Sequence, residues 1–299
     1  MNLITSAIGQ GLLWGILGVG LFLTFRILNF PDMTVEGTFP LGAAVAVTSI
    51  THGVAPILAT LLAFGAGLLA GLATGILYTK GKIPILLAGI LVMTGLYSIN
   101  LRVLGKANVA LLNQPTLFKA KFLQQLPQYF DSVVVGIFTV GLTLMLLAYF
   151  LQTELGQAFI ATGDNATMAK ALGIKTDWMT VLGLMVANGF IGLSGGLMAQ
   201  SNGYADVNMG IGVIVIGLAA IIIGEVAFGE LTLNQRLVAV ILGSILYRFV
   251  LLLVLQLGFN TNDLKLISAL ILAIALTLPT LQQRFQIKRL LRKGVTRHE

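Results

Sequence analysis

Seven stretches of this 299-residue chain contain no Asp, Glu, Lys or Arg: Met1–Phe25, Gly37–Thr79, Pro84–Leu101, Ser132–Thr153, Trp178–Ala205, Val207–Gly224 and Leu266–Gln283. A hydrocarbon core about 30 Å thick takes about 20 apolar residues per helical crossing. Every backbone polar group inside that layer must be bonded internally, so long uncharged tracts there become helices. Gly37–Thr79 is long enough for two crossings, broken near His52-Gly53 and Pro56, and Leu237–Leu257 adds another that carries Arg248. The expected spans are 8–28, 35–51, 54–78, 83–103, 132–151, 178–200, 208–228, 237–257 and 264–283. The fold class is therefore all-α, a polytopic transmembrane helical bundle of roughly eight to ten spans, since closely spaced segments can be re-entrant. Composition agrees: 10% of residues are charged, against about 25% in soluble domains. The tracts are too continuous for the alternating pattern of an outer-membrane barrel.

The first tract has no basic residues before it and leads into a second apolar segment, so it reads as a retained span and not a cleaved signal. There are no cysteines, which excludes disulfides, thiolate metal sites and Cys nucleophiles. The net charge of +7 is largely a topology signal. Arg284, Lys288, Arg289, Arg292, Lys293 and Arg297 form a basic tail, 284–299, which the positive-inside rule places in the cytoplasm behind a permease domain of 1–283. Counting back puts Lys80/Lys82 and Lys170/Lys175 on the same side and the N-terminus outside. The 102–131 loop, with Arg102, Lys106, Lys119 and Lys121, then falls outside. The partner of the tail is the anionic bilayer surface, not nucleic acid.

Glycines Gly67, Gly71 and Gly75 recur every fourth residue in the third segment, and Gly189, Gly192 and Gly196 cluster in the sixth. Such stripes let helix backbones approach closely, which is a packing role. The 106–131 loop reads either as an ordered external cap or as a plain connector. Thr34–Ala46 and Asn208–Ala220 echo each other faintly, each a polar entry into a small-residue helix.

The polar stretch between the fifth and sixth spans, within 154–177, reads ELGQAFIATGDNATMAKALGIKTD. Asp164 after Gly163 suits a helix N-cap, and Gly173 suits a left-handed terminator after Leu172. A helix of about two turns is expected between them, with Met168, Ala169 and Leu172 on one side and Asn165 and Lys170 turned elsewhere. Asp177 is placed to cap the following span. Such a short, capped helix on the cytoplasmic face is either a lever for a soluble partner or an amphipathic helix lying in the headgroups.

The pattern GDNATMAKALGI, followed by a span containing GFIGLSGGLMAQ, resembles the cytoplasmic coupling segment of bacterial ATP-binding-cassette (ABC) importer permeases of the branched-chain amino acid and ribose superfamily. NFPDMTVEGTFPLGAAVA and ILVMTGLYSINLRVLGKAN resemble that family's polar membrane entry and fourth span. Asp32–Gly37 and Asn262–Lys265 look closest to its aromatic amino acid, tryptophan/tyrosine, subgroup. The resemblance implies a type II-like permease in the bacterial cytoplasmic membrane, working as a homodimer on two ATPase subunits and fed by an extracytoplasmic binding protein. Gly163, Asp164, Asn165, Met168, Ala169, Leu172, Gly173 and Ile174 would form the ATPase-coupling segment, with Gly163 and Gly173 setting its reversals. The chain has no G-x-x-x-x-G-K-[ST] loop, so ATP and Mg²⁺ would belong to the partner and this chain would hold no cofactor.

Polar groups inside spans are costly and face cavities or partners. Asp32, Glu36, Glu225, Glu230 and Arg248 are the charged candidates, and an Arg248–Glu225 ion pair is one expected arrangement. Glu36, Thr94, Ser98, Asn188 and Ser194 are the expected pathway residues, although interhelical hydrogen bonding also suits Asn188 and Ser194. His52 and His298 have no metal-ligand spacing, and no catalytic carboxylate pair or Ser/His/Asp set is present, so the chain reads as a transport subunit and not an enzyme. The alternative is an ion-coupled secondary transporter, which would concentrate carboxylates near the midplane. With a receptor to select the solute, the permease needs no tight site of its own.

Overall fold

The computed structural model describes residues 2–120, 123, 127, 129–229, 231–259, 263–264, 266–275 and 277. Expectations for Lys121, Glu230, Asn262, Lys265, His298 and the 284–299 tail lie outside these residues.

Each of the nine apolar segments holds a helix. The long ones are α1 (Asn2–Phe22, continued by a π-helical turn Leu23–Ile27), α2 (Val35–Thr51), α3 (Pro56–Thr79), α4 (Ile85–Leu104) and α5 (Phe130–Gln152). Two short helices follow, α6 (Glu154–Asp164) and α7 (Ala166–Ala171), then α8 (Thr176–Asn202), α9 (Val213–Phe228), α10 (Leu233–Gln256) and the short α11 (Leu266–Ala275). Among the described residues, seven helical stretches are long and apolar enough to cross a membrane; α2, at 17 residues, is shorter and almost wholly enclosed. The only strands among the described residues, β1 (Asn108–Ala110) and β2 (Tyr204–Asp206), pair antiparallel and tie the long loop after α4 to the end of α8. Phe118 of that loop is buried and the Leu117 N–H bonds Gln200 Oε1 at 3.2 Å, so the described part of the loop is an ordered cap.

The core is built on two buried, antiparallel helices, α1 and α8. Gly20 of α1 lies against Ala187 and Ile191, while Leu13 near its other end accepts the Ser194 hydroxyl at 2.9 Å. α3 packs along α8 and α10 packs along α1, so two helical units exchange equivalent partners.

Small residues explain how closely these helices pack. A Cβ built on Gly67 would lie 2.2 Å from the Asn188 carbonyl oxygen, on Gly71 2.1 Å from that of Leu184, and on Gly42 2.0 Å from that of Gly192. No side chain fits there. With no hydrophobic drive between helices in lipid, such backbone contact supplies the association energy.

Candidate functional site

Two places carry the polar chemistry: a corner that projects from one face of the bundle, and a buried polar cluster with a cavity beside it.

The corner is α6 and α7. Thr153 caps α6, accepting the Gly156 N–H at 3.2 Å, and α6 lays Phe159 against Gly183 of α8. Gly163 lies in the last turn of α6 and does not form the reversal; a Cβ there would overlap the Ile27 carbonyl, so its bareness lets α6 press on the end of α1. Asn29, in a left-handed conformation at φ 58°, donates from Nδ2 to the Gly163 carbonyl at 3.3 Å and adds a second tie. The reversal falls at Asn165, and Asn165, not Asp164, caps α7: its Oδ1 accepts the Met168 N–H at 3.0 Å. The extended backbone at Asn165 ends α6 at Asp164, which leaves that carboxylate in a last turn where it cannot cap.

Gly173 terminates α7 as the sequence predicts, at φ +84°. The Ile174 N–H reaches the Ala169 carbonyl at 3.0 Å and the Gly173 N–H that of Lys170 at 3.1 Å, a Schellman closure. α7 turns differently from the expected face. Ala169 is buried, while Met168 (61% exposed) and Leu172 (70% exposed) are turned outward, and Trp178 in the first turn of α8 is exposed too. Asp177 sits in the first turn of α8 without capping it; the cap position is Lys175, with no side-chain bond. The corner is thus a rigid, apolar-tipped projection, flanked by Lys170 and Lys175.

The turn at Lys80–Lys82 and the end of α9 share the face of the corner, because α3 runs antiparallel to α8 and α9 brings Glu225 to Arg26 at the end of α1. Glu225 therefore pairs with Arg26, through Nε at 2.8 Å and through Nη2, and not with Arg248. Arg248 instead lies over the Trp14 ring, 4.9 Å from its centroid, and Trp14 stacks on Phe39 at 5.1 Å.

The buried cluster centres on Asn188 of α8. Its Nδ2 donates to Asp32 Oδ2 at 2.8 Å and its Oδ1 accepts the Thr38 hydroxyl at 2.8 Å. Asp32 Oδ1 accepts the Thr34 N–H at 2.9 Å, and Thr34 shares a 2.7 Å hydroxyl contact with Thr74 of α3. Asp32 lies in the short connector before α2 and is almost wholly buried, 3% exposed. Asn188 and Ser194 are thus interhelical ties in the core. Asn188's partner Asp32 is separated from it by 156 positions, a distance no local spacing reveals.

Glu36 and Thr94 do come together, in a cavity of about 200 Å³ between α2, α4 and the lead-in to α9. Met93, Tyr97, Asn100 and Asn208 share its lining, whereas Ser98 is exposed on another side of α4. Glu36 Oε1 accepts the Gly212 N–H at 3.0 Å, just ahead of α9. Asn100, fully buried, was legible only as a polar residue at membrane depth; its membership of the cavity depends on α2 and α4 crossing at Gly37, where a Cβ would meet Met93 and Leu96.

A multi-pass helical bundle with two exchanged helical units, an ordered loop on one face and a capped helical corner on the other is the architecture of a membrane permease subunit. The chain belongs to the branched-chain amino acid transport system/permease component family, whose model matches residues 3–276. It is 43% identical over 272 residues to a tyrosine transport system permease protein of Clostridioides difficile, covering 91% of this chain and 90% of that one. It is 34% identical to an uncharacterized protein of Rickettsia prowazekii, over 93% of this chain and 98% of the relative. An autoinducer 2 import system permease protein of Salmonella paratyphi B is 25% identical over 66% of this chain and 56% of its own length. In fold, the chain superposes on PsaBC from Streptococcus pneumoniae, solved in complex with Fab, with a TM-score of 0.51 and 17% identity over 92% of this chain and 89% of that one.

Proposed function

We propose that this permease is the membrane subunit of an ABC importer of the bacterial cytoplasmic membrane that moves an amino acid inward, an aromatic one such as tyrosine. Two copies would stand on two ATPase subunits, and an extracytoplasmic receptor would deliver the solute to the capped external face. ATP and Mg²⁺ would be held by the ATPase. The observation that carries this reading is the α6–α7 corner. The six-residue α7, capped by Asn165 and closed at Gly173, exposes Met168 and Leu172, and Trp178 is exposed in the first turn of α8. An apolar tip on a rigid polar base suits a protein groove, where a few buried anchors supply most of the binding energy. The C. difficile relative, named for tyrosine transport, supports the solute class.

Buried Asp32 favours a second reading, ion-coupled transport, since such carriers use intramembrane carboxylates. One experiment separates the two. The chain is reconstituted in proteoliposomes with its co-purified partners, and L-tyrosine uptake is measured with ATP, with a non-hydrolysable analogue and under an imposed proton gradient. Uptake that requires hydrolysable ATP and is lost in Gly173→Pro supports the importer. Gradient-driven uptake without ATP supports the alternative.

A further inference from the structure

We propose that the cavity between α2, α4 and the lead-in to α9 is a weak subsite for the protonated amine of the travelling solute. The proposal rests on the amino-acid import reading and names the part of the solute that the membrane subunit itself recognises.

Three observations converge. Asn100 is completely buried, and its Nδ2 donates to the Gly37 carbonyl at 3.2 Å. That bond fixes the amide orientation and leaves Oδ1 as a buried acceptor with no partner, a costly state unless a donor visits it. Glu36, half-buried on the same cavity, is held by the Gly212 N–H through Oε1, and no Lys or Arg among the described residues pairs with it. The polar atoms fixed by these two side chains are thus a carboxylate and a bare carbonyl oxygen, both acceptors. Met93 and Tyr97 supply the apolar wall.

Position makes the case stronger. Met93, Thr94, Tyr97 and Asn100 lie on the middle and later turns of α4, where a carboxylate facing lipid would be expensive. The cavity therefore opens to water or to another protein surface and not to acyl chains. An ammonium group carries up to three donors and a positive charge, which match the carboxylate and the orphaned oxygen, while an aromatic or aliphatic side chain rests on Met93 and Tyr97. A solute lacking the amine offers no positive charge to Glu36 and no donor to the orphaned Asn100 oxygen, and binds less well. An inorganic monovalent cation has the same charge and is the competing occupant.

The test is saturation-transfer NMR on the full chain in nanodiscs, without receptor, using L-tyrosine, tyramine and the deaminated acid 3-(4-hydroxyphenyl)propionate. Choline chloride is compared with potassium chloride. Transfer to tyrosine and tyramine but not to the deaminated acid is expected. Glu36→Gln, which still accepts the Gly212 N–H, should weaken it about tenfold while leaving the melting temperature in place. Asn100→Leu should do the same by removing the orphaned oxygen. Equal transfer to all three solutes, or none to the amines, overturns the proposal; so does displacement of the amines by potassium. Amine binding in a chain whose complex imports no amino acid would sink the import reading and leave the subsite standing, whereas tyrosine import unaffected by Glu36→Gln would do the reverse.

Discussion

The seam where α2 and α3 meet α8 and the corner formed by α6 and α7 are opposites in construction. In the seam, backbone touches backbone: Gly42, Gly67 and Gly71 leave no room for a methyl group, and the polar side chains there are bonded to each other. In the corner, Gly156, Phe159, Thr162 and Ala169 are buried, and Met168 and Leu172 at the tip stay exposed. The seam holds one shape, and under the proposed function the corner is the part that a partner would grip. Mutations in the two regions should therefore report on different quantities, stability in the first and communication with a partner in the second.

The contrast can be broken in four ways, in descending order of effect. Gly71→Val forces α3 off α8, and the folded, monodisperse species should be lost on size exclusion in detergent. Normal yield would mean that the helices are not in backbone contact. Asn188→Leu removes the amide that bonds Asp32 Oδ2 and the Thr38 hydroxyl, leaves that carboxylate oxygen buried and unpaired, and should cost about 3 kcal/mol, read as a lowered melting temperature. Leu172→Asp should leave the melting temperature unchanged yet weaken co-purification of the ATPase by about 2 kcal/mol, roughly thirtyfold. A fall in stability with docking intact would reverse the roles assigned to the two regions. Arg26→Gln removes an ion pair whose arginine is 42% exposed, so about 1 kcal/mol or less is expected in chemical denaturation.

The same contrast explains what the sequence alone reveals. Features governed by neighbours in the chain are legible: the apolar segments, the Gly67/Gly71/Gly75 stripe and the Gly173 terminator all match the structure, because length, helical spacing and left-handed geometry are local properties. Features that depend on a remote partner are not. Glu225 finds Arg26 rather than Arg248, since α9 passes the end of α1 with that turn of its helix facing it. Gly42 makes the closest of the three seam contacts yet belongs to no repeating stripe, so nothing marked it out. The cap falls one residue beyond the expected Asp164, because α6 includes Asp164 and the extended backbone comes at Asn165. Glu36 and Thr94 were expected along the pathway and do share a cavity, but Asn100, whose carbonyl oxygen gives that cavity its character, becomes prominent only when its missing partner is seen.

The central claim is that the α6–α7 tip is seated in a nucleotide-hydrolysing protein. The chain has no native cysteine, so Met168→Cys gives a single attachment point at the most projecting turn. A thiol crosslinker applied to the assembled complex should join position 168 to the ATPase, with the yield changing when ATP is bound. No crosslink, together with a spin label at this position that is relaxed by oxygen in the lipid phase, would place the tip in the bilayer surface and contradict the account.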